Sequence, residues 1–154
     1  MKNKLIISAF HVVGKTYLYN KFKEKGYSIS DSDSSKFSKG DEFPKNYLDH
    51  IKNIDSNLVL VSTHELVVDG ILNDPELSKN YWIVAPKMGI KDEIINRMIG
   101  RGSSTALIEI VENNYQKWIQ DLIAKSKKLL VLDSNEYLSD LVTVDCHGNF
   151  KIDY

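Results

Sequence analysis

The stretch LIISAFHVVGKTYLYNKF, Leu5 to Phe22, constrains the chain most. The apolar run Leu5-Ile6-Ile7 reads as a strand. A short loop follows, and Gly14-Lys15-Thr16 opens a helical pattern that stops at Gly26. The spacing from Ala9 to Thr16 is that of the phosphate-binding loop G-x-x-x-x-G-K-[ST], with Ala9 in place of the first glycine. In such a loop the backbone N–H groups of Ala9, Phe10, His11, Val12, Val13 and Gly14 curl around phosphate oxygens. The start of the helix adds a partial positive charge. Lys15 would reach the β- and γ-phosphates, and the Thr16 hydroxyl would ligate Mg²⁺. His11 sits inside the loop, either touching a phosphate or simply exposed.

At 154 residues the chain is expected to form one domain with its own core. Its apolar share of 42% and charged share of 27% are those of a globular protein. A net charge of −1 supplies no global field toward nucleic acid or membrane. The single Cys146 excludes an internal disulfide framework and fits a reducing compartment. No apolar run approaches a membrane span, and the first residues lack a signal-peptide pattern, so a cytoplasmic protein is expected.

Strand-like runs at Leu5–Ser8, Tyr27–Ser30, Leu58–Val61, Tyr81–Ala85 and Leu129–Leu132 alternate with helical patterns. The helices are expected over Lys15–Lys25, Pro44–Ile54, Val67–Leu72, Ile90–Ile99 and Thr105–Lys125, with a break at Gly100-Arg101-Gly102. The stripe Leu107, Val111, Tyr115, Trp118 and Leu122 reads as core. Val142–Val144 and Phe150–Ile152 are compatible with a hairpin. Such alternation predicts βαβ units: an α/β fold in three layers, with a parallel sheet between helices on both faces. Ligands then lie beyond the carboxyl ends of the strands.

Those ends carry the other candidates. Asp31 and Asp33 follow the second strand, two residues apart and thus on one side of an extended segment. One carboxylate can hold Mg²⁺ through water, and the other can orient an acceptor hydroxyl or take its proton. After the third strand, Ser62-Thr63-His64-Glu65 fits a capping box, lets Thr63 or His64 touch an acceptor, or does both, since a cap residue can also face the cleft. Tyr47 either faces the acceptor or packs. Asn135, beyond the fifth strand, counts among the nucleotide-binding residues by the same strand-end rule. The only arginines, Arg97 and Arg101, lie four apart and share a helix face. Arginines that close over ATP neutralise charge on the transferring phosphoryl group.

Together Ala9–Thr16, Asp31-Ser-Asp33, Ser62-Thr-His64 and Arg97-x-x-x-Arg101-Gly resemble small P-loop kinases of the nucleoside monophosphate kinase and shikimate kinase superfamily. The pattern is similar to short phage-encoded nucleotide-kinase-like proteins, a wider group in which some members act on hydroxymethyluracil within DNA. The resemblance implies a five-stranded parallel sheet in order 2-3-1-4-5, ATP with Mg²⁺, and a closing lid, here around residues 86–104. It implies Asp31 near Mg²⁺ and Asp33 on the acceptor. Ala9 departs from that pattern, as does Val12, where many small kinases carry another glycine. No arginine comes soon after the second-strand turn, which slightly favours a hydroxyl over a free monophosphate as acceptor. The expected activity is an ATP-dependent kinase of a nucleoside, a nucleotide or a modified base. The alternatives are a kinase of bases in DNA, with Lys36, Lys39 and Lys45 along a basic groove, and a non-catalytic nucleotide-binding regulatory protein.

Overall fold

Five apolar runs pair side by side into a parallel sheet, and the chain's longest loops and helices are what carry it from one strand to the next. The computed structural model describes residues 4–32, 40–126 and 128–153. The strands are β1 (Leu5–Ala9), β2 (Ile29–Asp31), β3 (Leu58–Val61), β4 (Tyr81–Pro86) and β5 (Leu129–Leu132). Their order is β2-β3-β1-β4-β5, as the resemblance implied, and every pairing is parallel. All residues of β1 and β3 are buried. Strands covered on both faces read as unbroken apolar runs rather than as alternation, because neither face meets water.

Helices lie on both sides of the sheet. They are α1 (Lys15–Glu24), α2 (Lys45–Asn53), α3 (Glu65–Leu72), α4 (Lys91–Arg101) and α5 (Thr105–Lys125). Each buries a stripe at helical spacing: Leu18 and Phe22 in α1, Val67, Val68 and Ile71 in α3, Ile94 and Met98 in α4. In α5 the buried residues are Val111, Tyr115, Ile119 and Leu122, so Leu107 and Trp118 fall outside the fully buried part of the expected stripe.

Two helix ends differ from the sequence expectation. Helix α4 runs through Gly100 and stops at Gly102, whose φ is 82°. Ser103 N–H donates to the Met98 carbonyl and Gly102 N–H to that of Ile99, a Schellman closure that needs one residue in the left-handed region. Ser104 then caps α5, its Oγ accepting from Leu107 N–H at 3.2 Å. The expected capping box at Ser62–Glu65 does not form. His64 caps α3 instead, with Nδ1 accepting from Leu66 N–H at 3.2 Å.

The tail is a hairpin, β6 (Val142–Val144) against β7 (Phe150–Ile152), antiparallel. The Asp145 carboxylate accepts from His147 N–H and Asn149 N–H, holding the turn and keeping its own pKa below the usual range. Phe150 packs edge-on against Phe22 and Tyr27, so the hairpin completes the core beside α1. Among the described residues no helix is long and apolar enough to cross a membrane.

Beneath the carboxyl end of β1, Ser8 Oγ and Tyr81 Oη share a buried hydrogen bond of 2.6 Å. Burial pushes the Tyr81 phenol far above its ordinary pKa. Tyr81→Phe leaves the Ser8 hydroxyl without a partner and should cost about 1–3 kcal/mol in urea unfolding. The double variant Tyr81→Phe/Ser8→Ala, with both polar groups gone, should recover part of that loss.

Candidate active site

The last sheet bond on β1's course is Phe10 N–H to the Val84 carbonyl, at 3.0 Å. Beyond it the chain turns toward α1. Among the described residues, no backbone N–H from His11 to Thr16 finds an acceptor within the protein. The Phe10 amide is spent on the sheet, so it does not join the set expected to meet a phosphate. Ala9 is the last residue of β1 and keeps a negative φ, so it needs no glycine. Positive φ falls instead at Val12 (51°) and Gly14 (99°). Alternation of this kind turns successive N–H groups to one side, making an anion-binding concavity at a helix start. For Gly14 the conformation is free. For Val12, β-branched, it costs about 1–2 kcal/mol, and something else must hold it.

The carbonyl side of the loop is held. Arg97 Nη1 donates to the Val12 carbonyl at 3.3 Å, and Leu138 N–H to the Val13 carbonyl at 2.8 Å. Arg97 Nη2 donates to Glu93 Oε2 at 2.6 Å and to the Glu136 carbonyl at 3.4 Å, and the guanidinium lies 4.1 Å from the Tyr137 ring centroid. Its side chain is 12% exposed. Glu93 also accepts from Ser134 Oγ at 2.5 Å and Asn135 N–H at 3.1 Å, and these donors, with Arg97, hold its pKa below the usual carboxylate range. A Cβ on Gly14 would stand 3.4 Å from Tyr137 Cδ1, so Tyr137 covers the loop from the same side. Arg97 is thus a packed brace, where the sequence suggested a mobile arginine.

The loop opens on a cleft of about 1240 Å³, which His11, Val12, Gly14, Lys15 and Thr16 line while Val13 stays buried. Its near wall is Ala9–Val12 and Gly14–Tyr17. Ser62–Glu65, following β3, form one flank, and Arg97, Arg101 and Tyr137 another. The far wall is α5, through Leu107, Lys117, Trp118, Asp121, Leu122 and Lys125. Lys125 closes this end by pairing with Asp69 at 2.8 Å and Glu65 at 3.7 Å. The structure therefore brings Lys15, Thr16, Thr63, His64, Arg97 and Arg101 to one space. Among the described residues the side chains of Lys15 and Arg101 make no hydrogen bond or ion pair, so their charges are open to a ligand.

Other candidates fall elsewhere. Tyr47 is fully buried, donates its hydroxyl to the Ser32 carbonyl at 2.7 Å, and does not line the cleft. Packing has claimed it. Asn135 stands at φ 62° and gives its N–H to Glu93, contributing to the brace rather than to the cleft wall. Asp31 ends β2, exposed, in register with Leu60 of β3. Asp33, Lys36 and Lys39 lie outside the described residues, and Lys45 pairs with Asp49 one turn on. Among the described residues no group of three or more His, Cys, Asp or Glu forms a metal cage. A nucleotide-bound Mg²⁺ needs none, since it takes few protein ligands and keeps phosphate and water oxygens. One hydroxyl, Thr16, beside open amides and an open cation fits that kind of ion.

The α5 wall and Tyr137 were not singled out from sequence as site residues. The only signal was that Trp118 and Leu107 belong to an apolar stripe wider than the core needs. Trp118 stacks on His11, with ring centroids 6.5 Å apart, and Phe10 meets both rings edge-on.

No protein-family model matches the chain, and no curated protein does. Among solved structures, a gluconokinase from Sinorhizobium meliloti 1021 is similar at 14% identity, over 91% of this chain and 88% of that one, with a TM-score of 0.47.

The atoms crowding the His11 imidazole, and then the charges of Lys15 and Arg101, lower its pKa from the ordinary value of 6.5. The unfolded chain then takes up this proton at a higher pH than the folded one does. The resulting stability is present above about pH 6.5 and is lost as pH falls through the folded pKa. His11→Asn should flatten that acid-side fall in thermal midpoint between pH 7 and pH 5. A wild-type slope in the variant would remove His11 from the account.

Proposed function

We propose that the protein is an ATP-dependent phosphotransferase whose acceptor is a hydroxyl of a nucleoside, a nucleotide or a modified base. The observation that carries this reading is the run of amides from His11 to Thr16 that find no acceptor among the described residues, at the mouth of a cleft with Lys15 and Arg101 beside it. The volume exceeds the ~300–1,000 Å³ of a single small-molecule pocket, which suits a donor and an acceptor together.

In this reading the amides and Lys15 bind the polyphosphate, and Lys15 neutralises charge that shifts during transfer. Thr16, with Asp31 through water, would hold Mg²⁺, which would supply further neutralisation of the polyphosphate charge. Asp33 accepts the proton of the acceptor hydroxyl, and Thr63 and His64 orient it. Arg101 belongs to a lid within residues 86–104. Because Arg97 ties most of α4 to the loop, the moving part is the turn from Arg101 to Ser104, with Gly102 as its hinge. A nucleotide-binding protein without turnover is the competing reading, and valine at the strained position 12 favours it. It requires binding without transfer to any acceptor in a panel of nucleosides, nucleoside monophosphates, gluconate and hydroxymethyluracil-containing DNA.

Lys15→Ala should abolish transfer while the thermal midpoint stays near wild type, since Lys15 makes no hydrogen bond or ion pair among the described residues. Undiminished turnover in the folded variant would defeat the assignment. An ATP analogue with Mg²⁺ should protect the 101–104 turn from limited proteolysis. Arg101→Ala should lower the single-turnover rate more than it weakens ATP binding, because its charge answers the moving phosphoryl group. Identical cleavage with and without the analogue, together with a wild-type rate, would leave no role for a lid.

A further inference from the structure

Val12 is the unexplained residue of the loop. It is β-branched, partly buried against the core, and held at φ 51° where a glycine would sit without strain. His11, Val12, Gly14, Lys15 and Thr16 line the cleft, and positive φ at Val12 is part of the backbone turn that presents them there. On the opposite side, the Val12 carbonyl has one side-chain partner among the described residues, Arg97.

Arg97 is poorly placed to serve a ligand. One terminal nitrogen is committed to the Val12 carbonyl, the other to Glu93 and the Glu136 carbonyl, and the guanidinium plane rests on Tyr137. It is well placed to hold the loop. Glu93 is fixed by Ser134 and Asn135, and Leu138 N–H holds the next carbonyl, Val13, from the same segment. A frame built from α4 and the turn after β5 thus grips successive carbonyls while the amides on the other face stay free.

We propose that Arg97 is a positioning residue: by holding the Val12 carbonyl it keeps Val12 at positive φ and the loop's amides turned toward the polyphosphate, doing by contact what glycine at position 12 would do by freedom. The proposal rests on the phosphate-loop reading above. It also separates the two arginines, Arg97 shaping the loop and Arg101 meeting the ligand.

The test is rescue. Binding of Mg-ATP and of inorganic tripolyphosphate is measured by calorimetry for wild type, Arg97→Gln, Val12→Gly and Val12→Gly/Arg97→Gln. Failure of the wild type to bind either probe overturns the phosphate-loop reading itself, and with it any role for Arg97 in that loop. Given wild-type binding, Arg97→Gln should weaken both probes by about 10- to 100-fold, the scale of a lost charge-assisted hydrogen bond. In the Val12→Gly background the same change should cost less than about threefold, because glycine adopts the loop conformation without the brace. An arginine that touched the phosphates would cost as much with glycine as with valine, and that result overturns the proposal. So does wild-type affinity in Arg97→Gln. If Arg97→Gln does not fold, Arg97→Lys carries the same comparison, since it keeps a charge for Glu93 but lacks the fork that also reaches Val12.

Discussion

The hydrogen bond from Phe10 N–H to the Val84 carbonyl is the point on which the upper end of the molecule depends. Below it, β1 is paired on both sides, and its amides are spent on β3 and β4. Above it, the chain must cross from the sheet layer to the helix layer, and no strand accompanies it. Amides without a partner are costly when they are buried, and tolerable when they face water or an anion. The central position of β1 therefore produces both a rigid floor and, one residue later, a row of donors with nowhere to go but the cleft. The Ser8–Tyr81 bond under that floor keeps the sheet polar and satisfied where the loop departs.

Charge in the cleft is arranged by what is already paired. Arg97 is neutralised by Glu93, and Lys125 by Asp69 and Glu65, so these cations build walls. Lys15 and Arg101 carry positive charge unopposed by any ion pair among the described residues, and both face the loop's mouth. Their joint field is felt by His11. An anion entering here meets open amides, two open cations and a helix start whose dipole has the same sense.

Much of this was legible in the sequence, for local reasons. Unbroken apolar runs identify β1 and β3, helical spacing identifies α1, α3, α4 and α5, and the Ala9–Thr16 spacing locates the loop. What was not legible depends on partners distant in the chain. Arg97 looks like an exposed helix residue until the Val12 carbonyl, 85 residues away, arrives beside it. Periodicity cannot tell the Trp118 that lines a cleft from the Tyr115 that fills the core, since both lie on one stripe. Ser62 and Glu65 match a capping template, yet α3 starts two residues too late for it and His64 takes the role. Tyr47 carries a hydroxyl that reads as functional, and a buried carbonyl has used it.

The grip on the loop also has an order in time. Val12 and Val13 leave the ribosome early, but Arg97 and Leu138, which hold their carbonyls, are made long after. A nascent chain can therefore pack α1 before any of its anion-binding geometry exists. Until the turn beyond β5 emerges, the segment from His11 to Gly14 is an ordinary strand-to-helix connection with a valine free to leave the left-handed region. The loop made first is thus the last to have its carbonyls gripped, by residues of α4 and of the turn beyond β5.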